Sequence, residues 1–135
     1  MALGISELKG MSPELAAKLK AQGVADSDQF LKAAATPDGR KALADQTGAA
    51  PEVILGLANR ADLARITGVG QVFSDLLEQA GVDTVKELAN RVPANLHAKL
   101  VEINAERKLA GRLPTTGQVK GWVTQAKKLK KWLEY

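Results

Sequence analysis

The chain has no cysteine and a single histidine, His97. Without thiols there is no disulfide framework, no thiolate nucleophile and no cysteine-held metal. One imidazole is too few for a histidine zinc site, and no serine nucleophile stands in a recognisable setting beside it. Aromatic residues are scarce, with two Phe, one Tyr and two Trp in 135 residues. No segment alternates apolar and polar residues with a period of two, so no sheet is expected. Nowhere are about 18 apolar residues consecutive, and the start MALGISELKG lacks a basic segment followed by a long apolar run. These absences lead us to expect a soluble, cytoplasmic, all-α protein with no cofactor, no metal and no membrane partner.

Charge is unevenly placed. Met1 to Val119 holds 14 Lys and Arg against 14 Asp and Glu, whereas the segment from Lys120 onward holds five lysines against Glu134 alone. The body is neutral and the tail is basic. A domain that grips nucleic acid over its whole face would carry its positive charge on the body, so the tail is the stronger candidate for such contact.

The chain resembles itself. A shift of 58 positions lays LKGMSPELAAKLKAQGVADSDQF, from Leu8, onto ITGVGQVFSDLLEQAGVDTVKEL, from Ile66. Gly10 falls on Gly68, Leu19 on Leu77, Gly23-Val24 on Gly81-Val82 and Phe30 on Leu88. Later the match continues at a shift of 65, where Ile54, Gly56, Leu57 and Ala61 fall on Val119, Gly121, Trp122 and Ala126. The second copy therefore carries about seven extra residues near LAGRLPT. The division is residues 1–58 and 59–135, two repeats expected to pack as one compact unit.

Helix signals follow the repeat. Ser12-Pro13-Glu14 supplies a capping hydroxyl, a proline for the first helical position and an acid for the first turn. Leu15, Ala16 and Leu19 make an apolar stripe that stops at Gly23; Val72, Phe73, Leu76, Leu77 and Ala80 make its counterpart, stopping at Gly81. Thr84-x-x-Glu87 reads as a capping box, with Asp26-x-x-Gln29 as its equivalent. Pro37, Pro51 and Pro93 open further helices, the last with Leu96, Leu100 and Ile103 on one face. In GQVKGWVTQAKKLKKWLEY the spacing of Val119, Trp122, Ala126, Leu129 and Leu133 predicts one continuous helix. Its Lys120, Lys127 and Lys131 would lie on the opposite side. About eight to ten short helices are expected.

Gly68-Val69-Gly70-x-x-x-Ser74-x-x-Leu77 resembles the helix-hairpin-helix motif, and Gly10-Met11-Ser12-x-x-x-Ala16-x-x-Leu19 matches it with Ser12 in place of the second glycine. The first glycine permits a backbone conformation that a Cβ opposes. Val69 or Met11 fills the core beneath the turn, Ala16 or Ser74 must be small where two helices approach, and Leu19 or Leu77 is core. Such a turn also directs helix N-terminal amides outward, a setting that suits one phosphate oxygen. The stretches NRADLARITGVG, EQAGVDTVKELANR, ANLHAKLVEIN and GRLPTTGQVKGWVTQAKKL are similar to the bacterial family called domain of unknown function 4332, from Ile5 to Leu129. That resemblance implies a tandem helix-hairpin-helix fold and no established activity.

The candidate nucleic-acid contacts are Lys9, Gly10, Ser12, Lys18 and Lys20 at the first turn, Gly68 and Gly70 at the second, and Lys120, Lys127, Lys128 and Lys131 in the tail. Against them, the helix after Gly70 offers Asp75 and Glu78 where a phosphate-gripping helix would offer a cation. His97, off its helix's apolar stripe, reads as a surface or capping residue. Asp62, Asp75, Asp83, Glu87 and Glu102 read as scattered helix-start or surface acids, with Arg60 and Arg65 as their surface partners. No nucleophile stands with its base, so no catalytic residue is assigned. Two readings stay open: a non-enzymatic module holding nucleic acid through its backbone, and a protein-binding scaffold built on the same units.

Overall fold

In the computed structural model, which describes residues 2–135, eight α-helices follow a short 3-10 turn at Ile5–Glu7. They are α1 (Pro13–Ala21), α2 (Ser27–Ala33), α3 (Pro37–Thr47), α4 (Pro51–Leu63), α5 (Gln71–Gln79), α6 (Val85–Ala89), α7 (Pro93–Arg107) and α8 (Thr116–Lys128). Among the described residues there is no strand, only an isolated bridge between Gly4 and Asp26. None of these helices is long and apolar enough to cross a membrane.

Local chemistry sets the helix starts. Ser12, Asp26, Thr36, Thr84 and Thr115 each accept a hydrogen bond from the backbone amide three residues on. Each cap is worth about 1 kcal/mol. Pro13, Pro37, Pro51 and Pro93 open their helices, where the missing N–H has no intrahelical use. The box expected at Thr84 forms only by half, because the Glu87 carboxylate turns to Arg91 at 2.9 Å. Gln29 likewise accepts from the amide of Ala25 rather than that of Asp26. The complete reciprocal box is at Thr115 and Gln118.

Helices α1–α4 recur as α5–α8. Gly10 and Gly68 have φ of 91° and 95°, and Gly23 and Gly81 have 84° and 91°. At the first pair a Cβ would cost about 1–2 kcal/mol in backbone strain alone. The packing repeats as well. A Cβ on Gly10 would face Leu57 at 3.7 Å, and one on Gly68 would face Trp122 at 3.2 Å. Leu57 and Trp122 are the positions that the 65-residue shift superimposes, so each glycine turn rests on the same site of its own fourth helix.

Two apolar clusters result. One gathers Ile5, Leu19, Phe30, Ile54, Leu57 and their neighbours; the other gathers Leu63, Leu77, Leu88, Leu100 and Trp122. Helix α4 runs unbroken through the 58/59 division, giving Ala61 to the first cluster while Leu63 belongs to the second. The additional residues of the second copy lengthen α7 to 15 residues, against 11 in α3, and widen the following loop. That loop is pinned by Asn104, whose side chain bonds both N and O of Ala110, and by His97 Nε2, 3.0 Å from the Pro114 carbonyl.

Residues of the expected stripes depart in two places. Val72 is exposed rather than core. Helix α8 ends at Lys128 and the chain from Leu129 is extended, so Leu133 and Lys131 are not on its faces. This segment, residues 129–135, crosses to the first cluster as a strap. Lys127, Lys128, Lys130 and Lys131 would crowd like charges on a continued helix. The extended path instead gives the strap backbone bonds to Arg65, Ala35 and Arg40 and buries Leu133.

Candidate functional site

Three groups of the sequence-derived candidates sit on different elements. At the first turn, Gly10, Ser12 and Lys18 line one cleft of about 380 Å³ together with Glu14, Thr47 and Val53. Lys18 is already engaged there: its Nζ donates to the Thr47 carbonyl at 2.9 Å, at the carbonyl end of α3. The Leu15 amide is taken by Ser12. Lys9 and Lys20 are exposed.

The second turn is the more open. Its N-cap is Gly70, which offers no side-chain cap, and the amides of Gln71, Val72 and Phe73 have no hydrogen-bond partner among the described residues. In both turns the central amide, of Met11 or Val69, is spent on the carbonyl of Leu8 or Ile66. The second turn also leans on α8: Gln125 bonds both N and O of Thr67, beside the contact of Gly68 with Trp122. Trp122 and Gln125 make this contact, hidden in the sequence by more than forty intervening residues, and Lys120, Lys127 and Lys128 are exposed elsewhere on the same helix.

The acids of α5 do not face the turn as expected. Asp75 is buried and holds Arg60 at 2.9 Å, with Gln79 on its other oxygen. Arg60 therefore bridges α4 to α5 rather than pairing on its own helix surface. Its Nη1 also lies 3.1 Å from Glu78 Oε2, out of line for a hydrogen bond, so that oxygen is buried with charge proximity alone. Burial raises the Glu78 carboxyl above its ordinary 4.5; Arg60 opposes this, and Asp75 and Asp83 add to it.

A carboxyl raised in the fold favours the folded state below its unfolded value and loses that contribution as pH rises through the folded value. Glu78→Gln is therefore expected to unfold at a higher temperature than the parent at pH 7. That gap should close below pH 4.5. Paired thermal melts across this range check it, and a gap that widens toward acid contradicts it.

Asp62 is likewise not a surface acid. Oδ1 holds Arg65 at 2.8 Å, and Oδ2 accepts from the Val85 amide, also at 2.8 Å. In the first repeat the equivalent amide, Ser27 N, goes to the Leu3 carbonyl. There the upstream chain is extended and its carbonyl is free; in the second copy it is the end of α4, so a carboxylate takes the role. Beside Asp62 opens a cavity of about 300 Å³, lined by Asp83, Thr84, Lys86, Glu87 and Asn90 and closed by the strap residues Lys131, Leu133 and Tyr135. The Tyr135 hydroxyl donates to Asn59 at 2.8 Å, and burial plus the charges of Asp83 and Asp62 push its pKa to about 12.

A basic and aromatic patch lies where the strap crosses α2 and the end of α4. Lys32 Nζ stands 5.8 Å, and Arg65 Cζ 5.3 Å, from the centre of the Trp132 ring. Arg65 also bonds the Lys130 carbonyl at 2.7 Å. Sequence spacing had no means of finding this patch, because its members lie about 33 and 67 residues apart along the chain.

Residues 9–129 match the family described as a domain of unknown function (DUF4332), and the chain belongs to that family. No curated protein and no solved structure matches it.

Proposed function

We propose that the chain is a non-enzymatic binding module of two tandem helix-hairpin-helix units that holds nucleic acid, DNA in the first instance, weakly and without sequence preference. The observation that carries this reading is the second turn. Gly70 leaves the first amides of α5 without partners among the described residues, the helix dipole adds partial positive charge there, and α8, whose Lys120, Lys127 and Lys128 are exposed, packs on the turn through Trp122 and Gln125. The inward turn of Asp75 removes the main electrostatic objection to an anion at that end. Backbone amides and lysines recognise phosphate and position a strand without reading its bases. Gly10, Ser12, Lys9, Lys18 and Lys20 form a second, weaker contact, since Ser12 and Lys18 are already partnered.

Fluorescence anisotropy of labelled duplex and single strands at about 50 and about 200 mM salt tests this. Binding that falls steeply between the two concentrations is expected. An unchanged anisotropy at the lower salt ends the proposal. A protein-binding scaffold is the alternative, favoured by a cleft of about 520 Å³ between α3 and α4, with Pro37, Ala44, Pro51 and Leu55 as its apolar lining and Arg40, Lys41, Asp45 and Glu52 as its charged lining. Under that reading, affinity capture recovers a defined protein that survives nuclease treatment.

A further inference from the structure

The geometry points to a distinct contact for single-stranded nucleic acid at the strap, in which a base enters beside Trp132 and its flanking phosphates lie on the strap lysines. This rests on the nucleic-acid reading above and names a site and strand type within it. Of the two tryptophans, Trp122 is buried against Phe73, whereas Trp132 is 38% exposed. Beside Trp132 is a cavity of about 250 Å³ lined by Asp28, Leu31, Lys32 and Arg65.

The lining decides what the cavity takes. Asp28 would repel a phosphate there, while buried Leu31 and the indole offer an apolar wall to a flat ring, and the Asp28 carboxylate can accept from an exocyclic amine. Lys32 hovers 5.8 Å from the ring centre on a flexible stem, so a base can replace it there and release the ammonium to a phosphate. Arg65, tied to Asp62 and to the Lys130 carbonyl, is the fixed wall. Among the described residues, Lys32, Lys127, Lys128, Lys130 and Lys131 form no ion pair. They can therefore meet phosphates without first breaking a bond to a carboxylate. A duplex keeps its bases stacked inside and cannot use the indole, whereas a single strand offers base faces to an aromatic side chain.

The test uses the full chain with a fluorescein-labelled single strand of mixed sequence and its duplex, read by anisotropy, and unlabelled strand read by tryptophan emission. The single strand is expected to bind more tightly than the duplex and to quench the exposed tryptophan. Trp132→Ala should weaken single-strand binding about tenfold or more, and Trp132→Phe should retain most of it. Lys130→Gln with Lys131→Gln should reduce the salt slope by about 1.4. If the strand binds the parent and all these variants alike, with no change in emission, the strap site is wrong while the nucleic-acid reading stands. If no strand binds the parent, both fall. Melting temperatures of each variant show whether the fold is kept, and Trp132→Phe together with the lysine pair decides the matter should Trp132→Ala loosen the strap.

Discussion

Replacing Asp62 with alanine is expected to lower the unfolding free energy by about 3 kcal/mol, because it deletes one buried carboxylate that serves two partners at once. The Val85 amide, at the start of α6, would be left buried and unpaired, and Arg65 would keep only the Lys130 carbonyl. For a chain of this size that is roughly 10 °C in melting temperature. Asp62→Asn should lose less, since its remaining oxygen can still cap Val85 while its amide faces Arg65. The result matters beyond stability, because Arg65 fixes both the strap and one side of Trp132. Thermal and urea unfolding of the three proteins provide the measurement. A loss below about 1 kcal/mol for the alanine variant would mean that the Val85 amide readily finds another partner, and the link between α4 and α6 would have to be sought elsewhere.

Leu133→Ala is expected to cost about 2–4 kcal/mol, a core-sized effect two positions from Tyr135. Leu133 is 2% exposed and packs in the first apolar cluster, although the chain reaches it from the second. Two responses are open to the molecule. If the strap stays docked, a cavity forms and the full loss appears. If the strap lets go, the loss stops at the strap's own docking free energy, and Trp132 leaves Lys32 and Arg65 for water. The second response shifts the Trp132 emission to the red and opens it to a soluble quencher, while buried Trp122 serves as the internal reference. Unchanged stability together with unchanged emission would show that the strap does not fasten the two clusters.

Much of the scaffold was legible from residue order because its causes are local. A serine or threonine ahead of a proline or acid starts a helix whatever lies elsewhere, and Gly10 and Gly68 were read as turn glycines from spacing that their positive φ values bear out. The duplication was legible for the same reason: repeated local chemistry yields repeated local structure, down to the paired contacts on Leu57 and Trp122. The tail was misread because period alone cannot tell a helix that continues from a chain that leaves the helix to find better partners. Leu133 keeps its apolar spacing but spends it on a distant cluster. The acids were misread because Asp62 and Asp75 look like surface residues until a buried amide and a buried guanidinium are placed against them.

Residue order by itself fixed an all-helical chain of two copies, each bent at a glycine turn, with its excess positive charge at one end. Only the tertiary structure decided which turn keeps more unpartnered amides, where the acids of α4 and α5 point, and that the basic end straps across to set Trp132 between Lys32 and Arg65. The physical reason is range: backbone conformation answers to neighbours within a turn or two, whereas burial and charge pairing answer to residues that the chain brings together only once it has folded.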